Sequence, residues 1–267
     1  MNVRARQSLM QSFLERLSFL RGLTPLALGL VLWQLAQGAG AVSAYFPPPS
    51  TWYGGLMRLA ADGRLFKASL ATMETILLGL LLASLFGSCL GVLVGSSSRA
   101  RRALGPLLEF FRAMPPPAIV PLAILFLGYD ERMKLTIVAV SAMWPILLNT
   151  TAAVERIHPI LIDVAVSFRL TTFERVTRVT FPAAVPAILL GLKIALPLTI
   201  VLTLLVEILT SIDGLGSLMI AAQRNYQSAQ VYALLAYVGV LGFLLNMVFS
   251  AMEAFVLRRW PPRSLNA

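Results

Sequence analysis

Residues 155–178 read ERIHPILIDVAVSFRLTTFERVTR, and residues 179–196 continue VTFPAAVPAILLGLKIAL. This is a polar interruption between two long apolar runs. Pro159 fits the first turn of a helix covering about 160–168. Thr171 and Glu174 have the spacing of a capping box, so a second helix starts near Thr172 and runs from Phe173 to about Thr180. It carries Arg175 and Arg178, and Pro182 and Pro186 mark entry into the next apolar run. The pattern is a short amphipathic helix, a turn and a second short helix, which together make a docking surface for a soluble partner. An ordinary interfacial hairpin has the same periodicity, so the order of the residues has to decide between the two.

Outward from this segment the chain is apolar. Its 267 residues are 58% hydrophobic and 13% charged, with a mean hydropathy of +0.80. A soluble domain carries roughly 25% charge. Residues 22–57, 75–98, 113–129, 135–154 and 225–252 contain no charged side chain, and 179–206 contain only Lys193. A bilayer core needs about 20 apolar residues in a helix. Only helices and closed barrels satisfy backbone polar groups there, and continuous apolar runs lack the alternation of a barrel. The expectation is an all-α membrane protein of about six transmembrane helices, near 24–42, 70–95, 104–127, 134–153, 183–208 and 230–254.

The net charge of +10 suggests nucleic acid, but its distribution gives a topology. With six spans, one side holds fourteen basic residues: Arg4, Arg6, Arg16, Arg21, Arg99, Arg101, Arg102, Arg156, Arg169, Arg175, Arg178, Arg258, Arg259 and Arg263. The other side holds six: Arg58, Arg64, Lys67, Arg132, Lys134 and Arg224. The positive-inside rule then puts both termini in the cytoplasm, with no nucleic-acid partner implied. The lone cysteine, Cys89, lies in the second span as a small core residue and forms no intrachain disulfide. The first 23 residues do not read as a cleavable signal peptide. Leu9, Phe13, Leu17 and Leu20 recur at helical spacing, as in a segment lying on the inner membrane surface.

Prolines set the boundaries. YFPPPS at 45–50 ends the first span, and residues 51–69 follow as an outer loop or short surface helix. Pro115, Pro116, Pro117 and Pro121 bend the third span, which is therefore interior and packed on neighbours. GYDERMK at 128–134 is an outer turn, and SIDGLG at 211–216 breaks the chain after the fifth span.

Polar residues inside spans are candidates for a translocation path. Arg112 lies three residues after Glu109, and a lone arginine at a bilayer centre costs roughly 2.5–3.5 kcal/mol. It reads as an ion pair or as a path residue. Lys193 either snorkels toward the cytoplasm or offers positive charge to an anion. Glu207 reads as a structural partner or a path residue, and Asn149 can bond across helices. His158 reads as a solvated loop residue, and there is no metal-binding set. No Ser/His/Asp or Cys/His set and no converging carboxylate pair supports catalysis.

At this point the chain resembles the inner-membrane permease subunits of binding-protein-dependent ABC importers. Their cytoplasmic signature is E-A-A, three residues, G, nine residues, I-x-L-P. Asp163-Val164-Ala165 stands for E-A-A, and Val179-Thr180-Phe181-Pro182 for I-x-L-P at the same spacing. The resemblance covers about residues 25–260. FFRAMPPPAIVPLAILFLGYDERMK at 110–134, FPPPS at 46–50, and Glu207 followed by DGLG at 213–216 look like the nitrate, sulfonate, taurine and pyrimidine-precursor branch. The departure is Arg169, where the family has glycine. Arginine in a left-handed turn costs on the order of 1 kcal/mol or forces another geometry. Drift with a slightly remodelled turn is one reading. An added contact to an acidic ATPase groove, or a specialised half of a heterodimer, is the other.

The resemblance implies a type I importer permease fold. Its parts are a cytoplasmic segment at 1–23, a transmembrane domain at 24–256 with a coupling segment at 155–182, and a cytoplasmic tail at 257–267. It implies a bacterial inner-membrane protein whose partners are ABC ATPase subunits, a second permease subunit (a homodimer or heterodimer), a periplasmic or lipoprotein substrate-binding protein, and lipid. Asp163, Val164, Ala165, Arg169, Thr171, Phe173 and Glu174 would contact the ATPase, with Ala165 approaching its groove closely. Arg112, Asn149, Lys193 and Glu207 remain path candidates. The chain has no G-x-x-x-x-G-K-[ST] motif, so ATP and magnesium belong to the partner ATPase and this chain is not itself an enzyme. The substrate would be a small anion such as a sulfonate, taurine or nitrate, or a small heterocycle. The competing reading is a stand-alone secondary transporter or channel, which usually shows repeats and midplane acids.

Overall fold

The structure is a computed structural model, and it describes residues 24–36, 45–258 and 260. The surface segment expected over 1–23, the end of the first span and the tail beyond 260 lie outside these residues. The described chain is helical: α1 Thr24–Ala36, α2 Pro49–Ala61, α3 Arg64–Gly95, α4 Ser98–Ala113, α5 Pro116–Leu127, α6 Glu131–Glu155, α7 Pro159–Ser167, α8 Thr172–Arg175, α9 Phe181–Thr210, α10 Leu215–Arg224 and α11 Ser228–Leu257. A π-helical turn, Val176–Thr180, joins α8 to α9. Among the described residues, four helices are long and apolar enough to cross a membrane: α3, α6, the continuous run Thr172–Thr210, and α11. The broken pair α4–α5 would be a fifth.

The core is the layer α3–α6–α9. Buried Ala83 and Val92 of α3 meet Ala142, Ile146 and Val154 of α6 and Ala184, Ile188 and Ala195 of α9. Small residues let these backbones approach, which is how helices associate where lipid is as apolar as leucine. A Cβ at Gly91 would stand 2.6 Å from Thr150 Cβ and 2.8 Å from the Leu147 carbonyl oxygen. One at Gly191 would stand 2.7 Å from Ile146 Cα. Thr151 Oγ1 donates to the Gly91 carbonyl at 3.3 Å, across the same contact. Outward-facing Leu81, Leu85, Val201 and Val248 are exposed, as side chains meeting hydrocarbon would be. At one end, α1, α2 and α11 are joined by Trp33, Trp52 and Tyr232, with ring centroids 5.2–5.7 Å apart.

Three expected boundaries change. The region 51–69 is α2 followed at once by α3, which begins at Arg64 rather than near 70. The expected bent span over 104–127 is two helices meeting at 97°. Pro115, Pro116 and Pro117 remove consecutive N–H donors, and the chain breaks there rather than bending. α4 is amphipathic and buries no residue. Its first turn is held to the end of α6 by a 2.6 Å ion pair between Arg101 and Glu155. Finally, the second coupling helix does not stop before the membrane. The Phe181 N–H reaches back to the Val176 carbonyl, five residues away, and the helix runs on through Pro182. One π turn absorbs the donor that Pro182 lacks.

Candidate functional site

Two regions carry the chemistry. The first is the two-helix segment at the end of the bundle where α6 stops and α9 begins. His158, expected as a solvated loop residue, caps α7: its Nδ1 accepts from the Ile160 N–H at 3.3 Å, with Pro159 in the first turn. α7 closes in a Schellman motif. The Leu170 N–H donates to the Ala165 carbonyl at 3.0 Å, and the Arg169 N–H to the Val166 carbonyl at 2.8 Å. Arg169 occupies the left-handed position with φ of 53°. Of the two outcomes expected for an arginine here, the glycine-type turn is retained and the strain accepted; the turn is not remodelled.

α8 opens with the expected capping box. The Thr171 hydroxyl accepts from the Glu174 N–H at 3.3 Å, and the Glu174 carboxylate accepts from the Thr171 N–H at 3.0 Å. The Thr171 hydroxyl also stands 2.9 Å from the half-buried Glu174 carboxylate, and Arg178 lies 3.5 Å from it.

The faces of this segment differ from expectation at one residue. Ala165 is the buried residue of α7, at 2% exposure, and α7 packs on Val176–Thr180. Its close approach is therefore to this chain itself. Ile160, Val164, Val166, Phe168 and Phe173 point outward, the two phenylalanines 76% exposed. Asp163 and Arg169 are also exposed, so the outer face is apolar with a few charges.

The second region is a cleft of about 460 Å³ where the α4–α5 break meets α6 and α9. Arg112 and Asn149 both line it, with Ser141, Trp144 and Ile194. The pair Arg112–Glu109 is loose at 3.4 Å, and both side chains are more than half exposed. One Asn149 N–H donates to the Pro145 carbonyl at 2.8 Å. α5 has 12 residues, about 18 Å of helix against a hydrocarbon core of about 30 Å. The break therefore places Arg112 part-way along the bundle rather than at its end.

The other two path candidates do not line the cleft. Lys193 points to α11, where its ammonium lies 2.7 Å from Glu253. Glu207, at 0% exposure, is enclosed near the opposite end of the bundle. It accepts from the Thr72 hydroxyl at 2.9 Å and the Gly216 N–H at 2.9 Å, and Lys134 stands 3.5 Å away. Lys134, expected in an outer turn, is wholly buried, and its ammonium also meets Glu131 at 2.7 Å and the Asp213 carbonyl at 2.9 Å. Lys134 and Glu253 were missed as partners. Each lies 60 or more residues from its counterpart, and the only hint was an acid at the end of an apolar run.

Comparison with known proteins agrees with this geometry. The family described as the binding-protein-dependent transport system inner membrane component matches residues 79–260. The chain is 31% identical to the bicarbonate transport system permease CmpB of a Synechocystis species, over 85% of each chain. It is 28% identical to the taurine transport system permease TauC of Escherichia coli, over 85% of each. With the nitrate import permease NrtB of Leptolyngbya laminosa it shares 31% identity, over 75% of this chain and 71% of the relative. Among solved structures, the MetNI methionine ABC transporter in an inward-facing form superposes with a TM-score of 0.62 at 18% identity, covering 74% of this chain and 98% of that one. An amino acid ABC transporter gives 0.58 at 17%, covering 76% and 97%. The shared architecture is thus that of ABC importer permeases, and this multi-pass chain belongs to the family of inner-membrane components of binding-protein-dependent transport systems.

Proposed function

We propose that the chain is half of the transmembrane path of an ATP-driven importer for a small anion, in a bacterial inner membrane, and that residues 160–180 couple it to a separate ATPase. The observation that carries this is the exposed apolar face of α7–α8, held rigid by a Schellman motif and a capping box. Phe168 and Phe173 at 76% exposure, on a short segment outside the apolar bundle, are what a groove in a soluble partner would cover. ATP and magnesium sit on that partner. A second permease subunit completes the path, and a soluble binding protein delivers substrate at the opposite face.

The cleft supports an anion as cargo. Arg112 supplies a permanently charged, forked donor, and Asn149 and Ser141 supply neutral ones. The substrates named for the relatives, bicarbonate, taurine and nitrate, are small anions or carry an anionic group. Lys193 and Glu207, both paired inside the chain, hold helices together beside this path.

The test is purification of the tagged chain from its own cells, followed by uptake in proteoliposomes with bicarbonate, nitrate and taurine. An ATPase should co-purify, and uptake of one of these should depend on ATP. ATP-independent uptake by the chain alone would support the stand-alone transporter instead.

A further inference from the structure

The helix that leaves the coupling segment ends at the Glu207 cluster. Thr172–Thr210 is one continuous helical run of 39 residues, about 58 Å long. Near its far end Glu207 is fully buried, and it is tied to α3, α6 and α10. Thr72 of α3 donates to its carboxylate and accepts, through the same hydroxyl, from the Leu215 N–H at 2.8 Å. The Gly216 N–H at the start of α10 donates to it at 2.9 Å. Lys134 of α6 balances the charge and holds the Asp213 carbonyl. An exposed pair, Lys67–Asp213 at 2.8 Å, adds a second tie between α3 and the same turn.

The carboxylate is thus the anion at the N-terminus of α10, supplied from within. No side chain other than hydrogen fits beside it. A Cβ at Gly214 would overlap the Glu207 carboxylate, and one at Gly216 would lie 2.7 Å from Glu207 Cβ. Lone charges in hydrocarbon are expensive, so a buried pair that bonds four elements fixes one arrangement of them.

We infer that Glu207 is a positioning residue: it fastens α10 to the end of the long helix, so that a load on α10 is carried along that helix to α7–α8. The role rests on the proposed coupling function and adds the route by which the two faces communicate. α10 takes the load at the face opposite the coupling segment, and Thr72 bridges the carboxylate and the start of that helix. α5, by contrast, packs on α6 and α9 through apolar contacts alone, with Val120 and Ala123 against Met133, Ile137, Val206 and Ile212.

The test uses the assembled importer, with its ATPase and binding protein. Thr72→Val keeps shape and removes both hydroxyl bonds. It should leave assembly and basal ATP hydrolysis close to those of the parent and lower the melting temperature in detergent modestly, since the buried Leu215 N–H and the carboxylate each lose a partner. Binding-protein-stimulated hydrolysis should fall about fivefold or more, the lower range of coupling between distant sites. Glu207→Gln should lose stimulation further, and Thr72→Ser should restore it. A second reading needs no partner. Spin labels at Phe66→Cys on α3 and Gln223→Cys on α10, with Cys89→Ser, should give one narrow distance that broadens in Thr72→Val. Unchanged stimulation together with an unchanged distance distribution would overturn the inference while leaving the coupling function standing. Failure of the unaltered chain to bind an ATPase would overturn both.

Discussion

Lys193 and Glu253 form a 2.7 Å ion pair that ties the middle of α9 to the last turns of α11, with the Glu253 side chain only 13% exposed. Removing one member strands the other in a poorly hydrated site. Lys193→Met alone should therefore cost about 1–3 kcal/mol, between the values for exposed and buried pairs. The double change Lys193→Met with Glu253→Gln should recover most of that stability, measured as melting in detergent. If Lys193 also attracts the anion, uptake by the stable double variant stays low. Recovered uptake would assign the lysine to structure alone.

Arg112 carries the opposite expectation. It is exposed in the cleft and held only loosely by Glu109, so Arg112→Gln should leave stability within about 0.5 kcal/mol. Uptake should fall about tenfold or more, as when a charge-assisted contact worth about 1.5–3 kcal/mol is lost, and Arg112→Lys should restore it in part. Normal uptake by Arg112→Gln would remove the cleft from the path.

The coupling face can be tested without disturbing its scaffold. Phe173→Ser changes an exposed side chain and should leave the fold intact, yet release the ATPase on purification. Ala165→Glu should also release it, by forcing a charge between α7 and the Val176–Thr180 turn, and should lower stability as well. Arg169→Gly should stabilise the segment by about 1 kcal/mol, since the turn is left-handed. Any loss of coupling in that variant would show that the guanidinium contacts the partner. Retention of the ATPase by Phe173→Ser would remove residues 160–180 from the interface.

Topology follows from charge. With Cys89 replaced, a cysteine at Ser50 should react with an impermeant thiol reagent added outside intact cells, and one at Ser167 should not. Both positions are exposed, so burial cannot explain a difference. Labelling of position 167 from outside would invert the orientation.

The contact between α3 and α6 admits no side chain at Gly91. Gly91→Val should cost about 1–3 kcal/mol or more by overpacking and lower the yield of folded protein, whereas the same change at Gly54, where a Cβ meets nothing within 4 Å, should be mild. Equal melting of the two variants would contradict the close approach.

The long apolar runs, the capping box at Thr171 and Glu174 and the breaks at 45–50 and 211–216 were legible because each is a local signal. A helix cap or a proline run acts within one or two turns. The right angle at 115–117 was not legible, because the same prolines can kink a helix or end it. Which outcome holds depends on whether a neighbour supports the freed carbonyls. Lys134 read as part of a wet turn because DERMK is locally polar; the distant Glu207 and Asp213, together with the neighbouring Glu131, make its burial tolerable. Ala165 read as a contact to a partner for a similar reason. Its small size signals close packing without saying against what, and the answer is this chain's own next turn.

The π turn at Val176–Thr180 has a bearing on how such segments change over time. A π turn is an α-helix with one residue to spare, and each residue of an α-helix turns the chain by about 100°. The direction in which Phe168 and Phe173 face is therefore set by a residue count as well as by the packing of α7 on this turn. Loss of a single residue here would rotate α8 relative to α9 by about 100° and disturb the buried Ala165 and Thr180 at the same time. Under the proposed coupling role, the length of this turn sets both the compass bearing of the outward face and the fit of α7 beneath it, so related subunits that diverge in the partner they accept would have to change the two together.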